Sequence, residues 1–239
     1  MSARFHGLAP LLAAAIGITM ILALLPAPAA AQVRYQARTP RRGSSELSGG
    51  LVWSGALDFG TRTADETRNI NTGQGAFPLF STASRVPAVA GVQGRLGIYL
   101  SRAVAIEGGV QYSRPRLSTL VSADAEQAPD VTVSETLTRY IVDGSILFHL
   151  TGLSFAGGRG MPFLSGGGGY LRELHSGNEL MESGREYHAG AGIKVWFSDR
   201  PRRLGFRADI GASIRDGGVD FDPGRRTVPT AGVSLAYLF

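Results

Sequence analysis

From Leu47 onward, apolar and polar side chains alternate with a period of two in about eight segments, a count read from the pattern itself. They cover 47–60, 86–100, 103–114, 137–150, 162–174, 186–198, 203–216 and 227–239. Strict alternation marks a strand with one face in an apolar medium. No segment carries the apolar stripe at i, i+3, i+4 and i+7 that a helix needs. The pattern predicts an all-β chain. Its sharpest segment is the last, where Ala231, Val233, Leu235, Tyr237 and Phe239 share one face and Phe239 is the final residue.

Assigning parity segment by segment gives two unlike faces. The apolar face holds Leu51, Trp53, Leu57 and Phe59 in the first segment and Val86, Ala88, Ala90, Val92, Leu96, Ile98 and Leu100 in the second. It continues through Val104, Ile106, Val110 and Tyr112, then Tyr140, Val142, Ile146, Phe148 and Leu150. Tyr187, Ile193, Val195 and Phe197 follow, then Leu204, Phe206, Ile210 and Ile214. In an up-and-down order this places Phe59, Tyr112, Tyr140 and Tyr187 near one rim. Trp53, Phe148, Phe197, Tyr237 and Phe239 fall near the other. Two aromatic girdles are what strands crossing a bilayer present. The fifth segment keeps its parity hidden behind Gly166–Gly169.

The opposite face carries charge: Asp58, Arg95, Glu107, Asp143, Lys194, Arg207 and Asp209. Inside an eight-stranded barrel the lumen is just wide enough for side chains to fill. Charges buried there must pair, because an isolated one costs several kcal/mol. The near-neutral set predicts a plugged lumen in which Arg207 and Lys194 contact carboxylates.

Connections alternate in length. Segments two and three are joined by Ser101-Arg102, and six and seven by 199–202. The stretches 61–85 and 115–136 are expected to be long polar loops, with shorter ones at 175–185 and 217–226. The 4–5 link, 151–161, is Gly-rich. Short turns on one side and long loops on the other is the periplasmic and extracellular arrangement of outer-membrane barrels.

The N-terminus adds a compartment. Arg4 precedes an uncharged run from Leu8 to Leu25, then Pro26, Pro28 and Ala29-Ala30-Ala31. This is the layout of a secretory signal peptide cleaved after Ala31. The expected organisation is signal peptide 1–31, flexible periplasmic lead-in 32–46 and barrel domain 47–239. The chain has no Cys, which removes disulfides, thiolate metal sites and a Cys nucleophile. Net charge is +5, carried almost wholly by Arg scattered along the chain. That scatter and the export signal argue against a nucleic-acid partner.

Chemical motifs are sparse. Gly166–Gly169 lies within a strand pattern and lacks the helix that a phosphate loop requires, so strand curvature explains it. His149, His175 and His188 have no ligand-type partner at metal spacing, so no metal or cofactor is expected. Glu186 and His188 share the inward face with Ser183 nearby, the one arrangement that suggests a hydrolase triad. The chain is nonetheless read as a non-enzyme.

The whole of 47–239 resembles the small bacterial outer-membrane β-barrel family typified by the OmpA and OmpX barrels. The resemblance rests on the signal segment, segment count, loop asymmetry, girdles and terminal Phe. It implies an eight-stranded antiparallel up-and-down transmembrane barrel in the outer membrane of a Gram-negative bacterium. It implies recognition by the barrel assembly machinery through Val233, Leu235, Tyr237 and Phe239, and contact with outer-membrane lipids and lipopolysaccharide. Arg62, Arg68, Arg185, Arg225 and Arg226 suit lipopolysaccharide phosphates as charge-assisted donors. No peptidoglycan-binding domain follows the barrel, so an envelope-tethering role is not implied. A structural or surface-interaction role is expected, with a narrow porin-like channel as the alternative. A lipid A-modifying enzyme and a soluble lipocalin-like barrel, with an apolar lumen and polar exterior, complete the alternatives.

Overall fold

The computed structural model describes residues 40–66, 77–176, 180–197, 204–219 and 224–239. The signal segment, most of the lead-in and Arg68 lie outside the described residues. Strands follow in the order β1 (Ser45–Ser54), β2 (Leu57–Glu66), β3 (Phe77–Val86), β4 (Val89–Tyr99), β5 (Val104–Ser113) and β6 (Arg116–Ser122). Then come β7 (Val131–Thr136), β8 (Thr138–His149), β9 (Gly160–Leu174), β10 (Met181–Trp196), β11 (Leu204–Gly217) and β12 (Arg225–Leu238).

Eight of these strands close a barrel in the order β1-β12-β11-β10-β9-β8-β5-β4, with β4 pairing back onto β1. Every neighbouring pair is antiparallel. Closure runs from Glu46↔Leu238 to Ser54↔Thr230, and Phe239 N donates to Ser45 O at 2.7 Å. The C-terminal strand is therefore paired on both sides, and no barrel edge is left open. One end of the barrel carries the short β4–β5 turn, where Ser101 Oγ accepts from the N–H groups of Ala103 and Val104. The other carries the long excursions, and is called the hairpin end below.

Those excursions are not the polar loops expected at 61–85 and 115–136. They fold as two hairpins joined through β3 and β6 into a four-stranded sheet, β2-β3-β6-β7. The cause is local composition: Leu117, Thr119, Val121, Val131 and Val133 alternate among β-forming residues on facing strands.

Breaks separate this sheet from the wall, and they change the facing of the chain. Leu51 and Trp53 point outward, 58% and 36% exposed, yet Leu57 and Phe59 beyond Gly55-Ala56 are buried. Val86 is buried too, whereas Val92 beyond Pro87-Ala88 is exposed. At the first break Gly55 N donates to Pro229 O, and a Cβ on Gly55 would strike the Pro229 ring. The assignment of Leu57, Phe59 and Val86 to the outward apolar face is thus corrected. They join Leu117, Leu137, Val219 and Val228 in an apolar cluster across the hairpin end. A second cluster, Tyr99, Ala105, Leu147, Phe163, Trp196, Ala236 and Leu238, fills the opposite end of the lumen.

The outer wall is a continuous apolar belt. Leu47, Leu96, Val110, Val142, Ile146, Leu164, Ile210 and Leu235 are each exposed. Contiguous apolar surface of this extent is not left in water by a stable monomer. Strand β9 resolves its hidden parity: Phe163 and Leu171 point inward, Leu164 and Tyr170 outward. Its glycines serve curvature. A Cβ on Gly167 would fall on the backbone of Gly144 and Ser145, and one on Gly169 on that of Val142 and Asp143. Strands of a narrow barrel approach this closely only where one side chain is missing.

Candidate functional site

Between the two apolar clusters lies a charged lumen. Because β1, β5, β10 and β11 each alternate strictly, Glu46, Glu107, Lys194 and Arg207 point to one axis. Lys194 Nζ sits 2.9 Å from Glu46 and 3.1 Å from Glu107, and is 1% exposed. Arg207 reaches Glu107 at 2.7 Å and Asp209 at 2.9 Å. The Tyr99 hydroxyl donates to Glu46 at 2.6 Å. Phe163 lies beneath both cations, 5.5 Å from Lys194 Nζ and 4.8 Å from the Arg207 guanidinium carbon. Each cation thus has carboxylates on one side and an aromatic face on the other, which offsets much of its lost hydration.

Further along the axis Arg95 pairs with Asp143 at 2.9 Å, and Gln111 also donates to Asp143. Nearer the hairpin end, Arg139 pairs with Glu173 at 2.6 Å and Arg215 with Glu186 at 2.7 Å. Glu173 also accepts from Val219 N, tying the β11–β12 connection to the lumen. A cavity of about 50 Å³ remains between these layers, lined by Gln93, Arg95, Gln111, His188, Arg207 and Ser213 among others. It has room for a few waters.

Of the lumen residues expected from sequence, the structure brings together Arg95, Glu107, Asp143, Lys194, Arg207 and Asp209. Asp58 is the exception: it lies exposed on β2, beyond the break, and accepts from Gly60 N. Glu46, Arg139, Glu173, Glu186 and Arg215 complete the network; Glu186 was expected on the inward face but not in an ion pair, and the other four were not expected there. Glu46 precedes the first alternating segment as drawn, and Glu173 follows the glycines that hid the parity of β9. Arg139 and Arg215 carry the inward parity of Asp143 and Asp209, so extending the alternation would have found them.

The rims also need correction. Phe59 is 6% exposed, within the apolar cluster. Trp53 pairs with Ala90 and Ala231 at the hairpin end of β1, because the wall strand stops at Ser54. It therefore shares a rim with Tyr112 and Tyr140, whose rings are 5.3 Å apart. Phe148, Phe197, Tyr237 and Phe239 are exposed at the other rim, with Tyr237 and Phe239 edge to face at 4.9 Å. Tyr187 is exposed on the belt, its ring over Gly168. Tyr170 adds an outward aromatic that the glycine run concealed. Ser183 is exposed while Glu186 is buried in its pair with Arg215, so the triad arrangement does not assemble.

An apolar exterior around a paired, charged interior is the reverse of a lipocalin-like barrel. The chain is similar in fold to solved structures. The outer membrane protein OprG from Pseudomonas aeruginosa superposes with TM-score 0.52 at 8% identity, over 83% of this chain and 97% of that one. The fold is that of a small outer-membrane β-barrel. Neisserial surface protein A matches with TM-score 0.48 at 9% identity, over 82% and 98%. No protein-family model matches the chain, and no curated protein matches it in sequence. In this outer-membrane barrel fold, the hairpin sheet is held to the far wall at both edges. Arg226 donates to Asp58 O and lies over Phe59. His175 Nδ1 is 2.9 Å from Glu135 on β7, and Nε2 is 3.7 Å from Glu182 on β10. Ser176 donates to Glu135 and to Thr136 O. The hydrogen bond to His175 holds Glu135 below the usual carboxylate range. Partial burial works to lower the His175 value, but the bond and charge of Glu135, with Glu182, raise it overall.

Proposed function

We propose that this chain is an integral outer-membrane barrel with a plugged lumen, serving a structural or surface-interaction role in the cell envelope. The observation that carries the reading is the inversion of faces. Leu51, Val142 and Leu235 stand exposed outside, while Lys194 and Arg207 are buried inside among carboxylates. Only a hydrocarbon solvent makes that arrangement favourable. The hairpin end, with its four-stranded sheet, is the extracellular face, and loops on a rigid scaffold are where contacts are made. The partners in this reading are outer-leaflet lipids, lipopolysaccharide among them, and the barrel assembly machinery reading Val233, Leu235, Tyr237 and Phe239. No catalytic role is assigned. A narrow channel for small solutes is the second reading, favoured by the cavity beside Arg95 and Arg207.

The test is gel mobility of the protein in isolated outer membranes, with and without boiling. A boiling-dependent shift in that fraction is expected. Recovery as a soluble periplasmic protein without a shift would contradict the reading.

A further inference from the structure

We propose that Arg172 and Arg185 form a binding site for a phosphate group of an outer-leaflet phosphorylated glycolipid. This rests on the membrane-barrel reading above. Both residues are exposed, and both continue the outward face of the lipid-facing belt. Arg172 lies opposite Ser183, and Arg185 opposite Tyr170, on the paired strands β9 and β10. They are diagonal neighbours, with Cα atoms about 7–8 Å apart, a span two guanidinium groups bridge onto one anion. Among the described residues neither has an ion-pair partner. Asp216 lies across from Arg185 on β11, but its contact is with Arg225 at 3.7 Å. The row Arg172, Arg185, Asp216, Arg225 therefore keeps a surplus of positive charge.

Depth selects the ligand. Tyr140 faces Arg172 and Tyr170 faces Arg185, each exposed on the outer wall. Tyr rings of this kind sit at the level of lipid headgroups. An outward Arg level with them cannot lie in hydrocarbon, so it lies where lipid phosphates are. A guanidinium fork binds a phosphate through two parallel hydrogen bonds, and Ser183, opposite Arg172 on the same face, adds a hydroxyl beside it. A sugar-borne phosphate fits better than a diester, because its additional free oxygen can engage the second Arg.

The experiment is native mass spectrometry of the full chain with lipid A carrying its phosphates, with dephosphorylated lipid A, and with phosphatidylglycerol. Retention of phosphorylated lipid A in preference to both others is expected. The double variant R172Q/R185Q should lower that retention at least about tenfold, the scale of one lost charge-assisted contact. R102Q, exposed at the opposite end, should leave it unchanged. Equal retention of the dephosphorylated lipid, or an unchanged double variant, would overturn the site. Equal retention of phosphatidylglycerol would overturn its assignment to a glycolipid. The comparison of lipids on the unaltered chain stands even where a variant fails to fold. The boiling-dependent gel shift reads the barrel separately. A shift without lipid discrimination counts against the site alone, and no shift counts against the membrane reading itself.

Discussion

Phe163 and Phe59 are both buried, one inside the tube and one in the sheet that caps it, and they do opposite work. Phe163 lies under Lys194 and Arg207 and belongs to a layer where each cation is held by carboxylates. Phe59 lies among Leu57, Val86, Leu117 and Leu137, with one guanidinium above it. The middle of the lumen is closed by ion pairs fixed to continuous strands. The hairpin end is closed by an apolar lid carried on a separate sheet. The first closure is strong only while every partner is present, because a single loss strands a buried charge. The second loses stability in proportion to the surface removed and leaves no orphan. Strength and brittleness go together in the middle of the lumen, tolerance in the lid.

The largest expected effect comes from Glu107, which accepts from both Lys194 and Arg207. Glu107→Gln removes the charge shared by the two cations and should cost about 3–5 kcal/mol. Urea unfolding of the refolded protein in detergent micelles measures it; a loss below that of an ordinary surface change would break the comparison. Truncation in the lid is milder. Leu137→Ala, at a fully buried position of the lid, should cost about 2 kcal/mol, the low end for such a cavity. The same unfolding assay should rank it clearly below Glu107→Gln.

The smallest effect is at the latch holding the lid sheet to β9 and β10. His175 has a raised folded value, so its contribution is complete below its unfolded value of 6.5 and fades as pH rises through the folded one. Glu135 has a lowered value, so its contribution is present above 4.5 and fades as pH falls through the folded one. The latch is therefore tightest between these two values. Its groups are partly exposed, so the gain is within about 1 kcal/mol. Protease cleavage of the β6–β7 hairpin should quicken from pH 6 to pH 8.5, and His175→Gln should abolish that difference. An unchanged pH response in His175→Gln would assign it elsewhere.

The two closures also differ in how far the chain reveals them. In the wall, each strand keeps one parity from end to end. Tyr140, Val142 and Ile146 therefore announce lipid, and Asp143 announces the lumen. Beyond Gly55 and Pro87 the same apolar signal means the reverse, because the breaks turn Leu57, Phe59 and Val86 inward. Alternation reports that two faces differ; it does not report which medium each meets. The sheet built from β2, β3, β6 and β7 was hidden for a related reason. Its strands are half-exposed and rich in Ser and Thr, so their polarity resembles that of loops. Glu46 was lost at a segment margin, one residue before its boundary, and Glu173 behind the glycines that hid the parity of β9.

The central claim is that the lumen is closed by its own paired charges. Single-channel recording of the refolded protein in a planar bilayer tests it most directly. The account predicts a silent bilayer for the unaltered chain, with rare current steps emerging in Glu107→Gln. Sustained ohmic conductance through the unaltered chain would contradict it and give the lumen to the narrow-channel reading.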